Sequence, residues 1–191
     1  MQQFFNSDPR TETALKSVVA VIFYNSGEVC CAGSRLYIQE GVYDAFVDNF
    51  LQIDNSDIKV QKYWWVERLQ GKGYSIKPTI FVKANDDMRI AQEGIVDPII
   101  TISKIKTTDH IVRMANNTAD IQTSNANRAI DVSRRLKAGT VWVNTYNDFH
   151  PIVPFGGGYN QSSMGREMGE GVLQNYTQAK AARMGIIKPK N

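Results

Sequence analysis

The chain carries two cysteines, Cys30 and Cys31, side by side in the stretch FYNSGEVCCAGSR that runs from Phe23 to Arg35. Sulfur in such a setting can form a bridge, hold a metal, attack an electrophile or simply pack. Neighbouring cysteines rarely reach disulfide geometry without distorting the backbone, and one adjacent pair could not staple a fold of this size. Zinc needs ligands spaced as in Cys-x₂-Cys, together with a second cluster of Cys or His. The two histidines, His110 and His150, stand far downstream and far apart. No metal site is assigned. Two readings stay open on these residues alone. In one, both thiols are small apolar filler, since free cysteine is among the most buried residue types. In the other, one sulfur is a nucleophile and its neighbour packs behind it.

The elements that must position these sulfurs come from a chain of 191 residues, 42% hydrophobic and 21% charged. That is an ordinary globular composition, enough for one domain or one domain with a small appendage. The formal charge is +3, from 22 Lys+Arg against 19 Asp+Glu, and the basic residues are scattered. A nucleic-acid surface would need them concentrated, so none is expected. No apolar run reaches transmembrane length, so no membrane span is expected. The opening MQQFFNSDPRTETALK lacks both the basic-then-apolar order of a secretory signal and the Arg-rich, acid-free character of a presequence. With two unpaired cysteines, this points to a reducing interior, read as the cytoplasm with mitochondria as the alternative.

Ala14, Val18, Val21 and Ile22 recur at helical spacing between Thr11 and Phe23, with Glu12 in the first turn. Asn25, Ser26 and Gly27 then make a turn that delivers the cysteines. RLYIQE alternates like a strand, with Leu36 and Ile38 on one face. GVYDAFVDNFLQI is helical, with Val42, Phe46, Phe50 and Ile53 on one side. YSIKPTIFVKA reads as a strand, and Pro78 within it implies an edge or a bend. PIITISKI is a β-branched strand, buried on both faces if parallel. TDHIVRMANN is a helix capped by Thr108 or Asp109, with Asn117 near its end, and NRAIDVSRRLKAG is a helix closed by Gly139. TVWVN is a short strand leading toward a Gly-rich loop from Phe155 to Gly158. Strands alternating with helices give an α/β class with a mostly parallel sheet and flanking helices. Ligands of open α/β sheets sit beyond the carboxyl ends of strands. The cysteines instead follow a helix and precede a strand, so topology alone does not assign them.

Five blocks in order, FYNSGEVCCAGSRLYIQEGVYDAFV, GYSIKPTIF, DDMRIAQE, AGTVWVNTYNDFHPIVPFGG and GREMGEGVLQNYTQAKA, resemble the C-terminal half of an NAD(P)-dependent aldehyde dehydrogenase, nearest the fungal enzymes. The likeness covers almost the whole chain. It implies a truncated form of that family's catalytic-domain fold, with residues 1–168 a partial catalytic domain and 169–191 a C-terminal oligomerisation segment. It implies that Cys30, two places before Ala-Gly-Ser, is the nucleophile and Cys31 its packing neighbour. It implies a small aldehyde substrate, NAD or NADP, and a thiohemiacetal that becomes a thioester and then an acid. The Cys30 N–H, with an Asn amide, would form the oxyanion hole. Phe155 matches an aromatic wall of the substrate tunnel, against the alternative of plain core packing. A homo- or hetero-oligomer would form through the tail, where Tyr176, Gln178 and Lys180 alternate with smaller residues.

The departures from that pattern also carry expectations. The family's oxyanion Asn, most of its dinucleotide site and its general-base glutamate belong to segments upstream of Phe4 and Phe5. The glutamate that binds the nicotinamide ribose is here Gly94, and the phenylalanine against the cofactor is Val96. Both stand at lost cofactor contacts. A helical excursion is shortened to DNSDIKVQKYWWVERLQGK, a Gly-Leu-Ala segment is missing from NNTADIQTSN, and Ser163 replaces a usual glycine in FGGGYNQSSMGRE. Trp64 and Trp65 belong either to a surface that the family's other half would cover or, with one ring in the core and one at the rim, to ordinary packing. The expectation is a dehydrogenase catalytic-domain chain that by itself does not complete the cycle. The alternative is a pseudoenzyme that keeps the fold and an assembly surface.

Overall fold

The structure is a computed structural model. It describes residues 2–5, 11–52, 61–62, 68, 71, 73–114, 119–157, 159 and 164–186. Ile53, Trp64, Trp65, Asn117, Gly158 and Ser163, all singled out in the sequence, lie outside these residues.

Seven strands form one sheet: β1 (Gln2–Phe5), β2 (Arg35–Gln39), β3 (Gln61–Lys62), β4 (Thr79–Val82), β5 (Ile99–Ile105), β6 (Ala119–Gln122) and β7 (Val141–Val143). Their order is β3-β4-β5-β2-β1-β6-β7, and every pairing is parallel. Parallel neighbours cannot be joined by hairpins, so the connections cross the sheet faces and bring helices with them. Helices α1 (Thr11–Phe23) and α2 (Glu40–Leu51) cover one face. On the other lie α4 (Thr108–Met114) and α5 (Ala126–Arg135), while α3 (Arg89–Gln92) is a single turn before β5.

Side-chain alternation along the central strands builds both cores. Leu36 and Ile38 of β2, with Ile100 and Ile102 of β5, pack against Val18 and Ile22 of α1 and Phe46 and Phe50 of α2. Tyr37 and Ile105 point to the opposite face and meet Ile111 and Val132. Because both faces are covered, residues 99–103 of β5 are buried at every position, as the uninterrupted β-branched run implied. Truncating Ile100 or Ile102, both fully buried, to Ala would cost roughly 2–5 kcal/mol.

Several local expectations are corrected. Pro78 does not mark an edge: β4 has β3 on one side and β5 on the other, and the proline falls just before the strand. The cap of α4 is Thr107, whose Oγ1 accepts the His110 N–H at 3.2 Å, rather than Thr108 or Asp109. Helix α5 begins under Asn125, whose Oδ1 accepts the Arg128 N–H, but ends at Arg135 with Leu136 already extended. Gly139 therefore closes no helix. Its bare Cα instead lets the backbone of Gly156 and Gly157 approach, where a Cβ would run into the Gly156 carbonyl oxygen. The sheet is also larger than the pattern implies, because β1 and β6 are four-residue strands without a long apolar run.

Strand β6 buries a carboxylate. Asp120 is 1% exposed, and it lies beside Trp142 in the ladder. Burial pushes its carboxyl up to about 7, against the opposing pull of the Gln122 Nε2–H donors at 2.9 and 3.1 Å. Desolvation wins because two neutral amide bonds do not replace a carboxylate's water shell. The sign follows. The folded chain holds this proton between about pH 4 and 7 while the unfolded chain has released it, so stability falls as pH rises through that window. A shift of this size is worth on the order of 4 kcal/mol. Asp120→Asn is expected to show a stability advantage over the parent that is small near pH 4 and grows to a few kcal/mol by about pH 8. Denaturant midpoints measured across that range check it.

Candidate active site

The cysteine turn is built from the end of α1 outward. A one-turn 3₁₀ segment, Tyr24–Gly27, follows α1, with Asn25, Ser26 and Gly27 all at positive φ. Gly27, at φ +74°, sits against the backbone just ahead of β5, and a Cβ there would run into the Asp97 carbonyl. A side chain at this position would meet both an unfavoured backbone region and a backbone clash. After the turn, the Gly33 N–H donates to the Val21 carbonyl at 3.3 Å, and the Thr101 N–H donates to the Ser34 carbonyl at 3.0 Å. The two sulfurs are thus held at the amino ends of β2 and β5, opposite to the edge where open sheets usually bind ligands.

The two thiols part company. Cys30 is exposed and Cys31 is buried. Cys31 packs with Val21 and Trp142. Its Sγ lies 3.7 Å from the Tyr146 hydroxyl and donates toward Asn147 Oδ1 at 3.8 Å. Burial, more than any neighbour, pushes the Cys31 thiol up, with Tyr146 pulling the other way. The Tyr146 hydroxyl, itself pushed up by burial, remains neutral and donates toward the carbonyls of Val21 and Cys31 at 3.4 Å. Cys31 is a fixed packing thiol.

Cys30 opens on a cavity of about 510 Å³ whose walls include Phe155, Arg166, Glu167, Asn175 and Tyr176. Among the described residues no carbonyl accepts the Cys30 N–H, which leaves it available to a developing oxyanion. Phe155 is tied into a short antiparallel bridge by its N–H to the Glu167 carbonyl at 2.7 Å and the reciprocal bond at 2.6 Å. Its ring stacks on Trp142 at 6.2 Å and meets Phe149 edge-on at 4.8 Å. Trp142 in turn meets Tyr146 and Phe149 edge-on, each at 5.5 Å. Each such pair adds roughly 0.5–1.5 kcal/mol beyond area burial. Phe155 therefore packs in one cluster and also lines the cavity at the thiol.

The structure brings Cys30 and Phe155 together and leaves Gly94 and Val96 elsewhere. Arg35 Nη2 donates to the Gln92 and Glu93 carbonyls at 2.9 and 2.7 Å, which pins the segment that follows α3. From that held backbone Gly94 projects into open space, with nothing within 4 Å of where a Cβ would stand, and Val96 is 66% exposed. Neither offers a hydrogen-bond acceptor for a ribose or a ring for a nicotinamide, so these two positions do not fit a dinucleotide. Arg166, Glu167 and Asn175 are site residues that the sequence reading does not single out. They are brought in by tight backbone at Gly165 (φ +87°) and by the Asn175 Nδ2–H bond to the Arg166 carbonyl at 3.0 Å. The sequence signal for them is the block GREMGEGVLQNYTQAKA, which contains all three without marking any of them as a site residue.

With the native chain held near neutral pH, iodoacetamide is expected to alkylate Cys30 and leave Cys31 untouched, and Cys31 should become reactive only after denaturation. Peptide mass spectrometry of the two states checks this.

The profile of the aldehyde dehydrogenase family matches residues 5–63 and 65–182. An aldehyde dehydrogenase of Davidiella tassiana is 39% identical over 217 residues, covering 94% of this chain and 44% of that enzyme. A mitochondrial benzaldehyde dehydrogenase of Antirrhinum majus is 36% identical, covering 95% of this chain and 41% of that one. The fold superposes with a TM-score of 0.82 on an NAD+ complex of aldehyde dehydrogenase from Bacillus cereus, 31% identical, over 93% of this chain and 44% of that one. The chain spans less than half the length of these relatives. Its parallel α/β sheet, its motif around Cys30 and these matches agree, and the chain belongs to the aldehyde dehydrogenase family.

Proposed function

We propose that this chain carries the acyl-transfer part of an aldehyde dehydrogenase, with Cys30 as nucleophile, Phe155 as a wall of the substrate cavity and Cys31 as packing. The observation that supports it most is the division between the thiols, one exposed at a cavity of about 510 Å³ and its neighbour buried. In this reading the Cys30 sulfur bonds to an aldehyde carbon, the carbonyl electron pair moves to oxygen, and the thiol proton ends on that oxygen as a thiohemiacetal. The Cys30 N–H, which among the described residues has no backbone acceptor, stabilises the charge as it develops. NAD or NADP serves the family's hydride transfer. No such step is assigned to residues of this chain, because Gly94 and Val96 do not fit the cofactor. The same two residues favour a second reading, a chain with the family fold and no dehydrogenase turnover.

Residues 1–168 form the catalytic portion in this proposal and 169–191 the assembly segment. The stretch 177–186 is exposed and forms no strand with the sheet, and its free backbone groups suit pairing with another copy or a longer relative. Among the described residues no helix is long and apolar enough to cross a membrane. A cytoplasmic location is proposed, with mitochondria as the alternative.

An activated ester tests the nucleophile without a cofactor. With p-nitrophenyl acetate, the Cys30 sulfur bonds to the acetyl carbon as the C–O bond breaks, p-nitrophenolate leaves with the electron pair, and the thiol proton goes to solvent. The expected result is a burst of about one equivalent of nitrophenolate and one acetyl group on the Cys30 peptide, lost in Cys30→Ser and kept in Cys31→Ser. No burst, or acetylation unaffected by Cys30→Ser, would overturn the nucleophile. A second arm supplies benzaldehyde and NAD. Reduction above the Cys30→Ser control would overturn the second reading, and none would support it.

A further inference from the structure

The loop that follows β7 carries a phenol aimed at the cysteines. Asn144 ties the start of this loop to the end of β6: its Oδ1 accepts the Thr123 N–H and its Nδ2–H donates to the Thr123 carbonyl, both at 2.9 Å. The Trp142 Nε1–H donates to the Asp148 carbonyl at 3.2 Å and so holds the far side of the loop. Asn144 and Asn147 stand at φ +53° and +58°, a region that asparagine tolerates better than most residues. Between them the ring of Tyr146 lies edge-on to Trp142 at 5.5 Å.

The cysteines occupy the two central positions of a four-residue turn, closed by the Ala32 N–H on the Val29 carbonyl at 2.8 Å. Turns of different type share such a closing bond, so it does not by itself fix the peptide groups between its ends. Among the described residues, the hydrogen bonds that reach Cys30 and Cys31 from outside the turn come from Tyr146 and Asn147. The Cys31 thiol donates toward Asn147 Oδ1 at 3.8 Å, which leaves its sulfur as an acceptor for the phenol at 3.7 Å. The Tyr146 hydroxyl also lies 3.4 Å from the carbonyl oxygens of Cys31 and of Val21. Its one proton is shared among three acceptors rather than spent on a single short bond. Sulfur and carbonyl of one residue are thereby restrained together, and both are tied to Val21 in the last turn of α1. Tyr146 does not line the cavity at Cys30, so whatever it does for chemistry there passes through the turn.

We propose that Tyr146 is a positioning residue for acyl transfer at Cys30: its hydroxyl holds the turn so that the Cys30 N–H faces the oxygen of a carbonyl attacked by the Cys30 sulfur. This role rests on the acyl reading of Cys30 given above. A donor to the developing oxyanion must sit about 2.7–3.1 Å from it, and a misplacement of about 1 Å costs on the order of 10²-fold. Displacement at a saturated carbon develops no oxyanion, and it asks only for the sulfur and access to it.

The experiment compares the full 191-residue chain with its Tyr146→Phe and Tyr43→Phe variants, using two probes of Cys30. With p-nitrophenyl acetate the sulfur–acetyl bond forms as the C–O bond breaks, and nitrophenolate leaves with the electron pair. With iodoacetamide the sulfur–carbon bond forms as iodide leaves with its pair. Tyr146→Phe keeps the ring against Trp142 and removes the shared hydroxyl. It is expected to slow the nitrophenolate burst by about tenfold or more, while Cys30 alkylates at the parental rate and Cys31 stays unreactive. Tyr43 is 2% exposed and its hydroxyl accepts the Lys83 N–H at 2.9 Å, in a different part of the core. Tyr43→Phe therefore removes a buried hydroxyl without touching the cysteine turn, and it should acylate like the parent. A parental burst that Tyr146→Phe matches in rate would overturn this proposal alone. So would a Tyr146→Phe chain whose alkylation slows in proportion to its acylation, one whose Cys31 becomes reactive, or an equal slowing in Tyr43→Phe, since each assigns the phenol a general structural role. No burst from the parent would overturn the acyl reading, and this one with it.

Discussion

The position of the exposed sulfur, Cys30, depends on one close approach, the backbone of Gly27 against the carbonyl of Asp97. At that point the turn after α1 lies on the chain that is about to become β5, and there is no room for a side chain between them. Strand β5 is central to the sheet and buried on both faces, so its amino end is a rigid reference. The bond from Thr101 to Ser34 extends the β2–β5 ladder by one step toward the cysteines. The sulfurs are thereby tied to the centre of the sheet by main-chain contacts.

The two thiols then diverge because adjacent residues of the turn present their side chains in different directions, one toward Val21 and Trp142 and the other toward solvent. Cys31 turns inward to the face under α1, where Trp142 and Tyr146 wait, and its thiol is held neutral by lack of water. Cys30 faces outward, and its cavity is walled by residues that arrive from the far end of the chain. Gly139 couples these regions, since only a residue without a Cβ allows the Gly156 backbone to lie where Phe155 can reach both Trp142 and the cavity. The same face carries Asp120, which pairs with Trp142 in the ladder. Its burial costs stability at neutral pH without contributing a contact to either thiol that the hydrogen bonds record.

Much of the fold was legible because it rests on periodicity. The helix Thr11–Phe23 and the strand from Ile99 are set by apolar spacing that no tertiary contact has to override. What escaped was short or polar. Strand β6 alternates Ala119 and Ile121 with Asp120 and Gln122, and four residues of that kind form a strand only because neighbours on both sides accept their hydrogen bonds. Gly139 and Pro78 read as punctuation in the sequence, as such residues usually do. Their actual roles are a close backbone approach and the approach to a central strand, and both depend on segments distant in sequence.

By itself, the sequence determined that this is a parallel α/β chain of the aldehyde dehydrogenase family, that two cysteines stand side by side in the family's motif, and that Gly94 and Val96 carry neither an acceptor side chain nor a ring. Those are properties of residue type and spacing, and they are written locally. Only the tertiary structure decided that Cys31 is buried and Cys30 exposed, and that Phe155 belongs at once to a packing cluster and to the cavity wall. Exposure and shared walls arise when distant segments meet, and no local pattern encodes which of two adjacent side chains will find water.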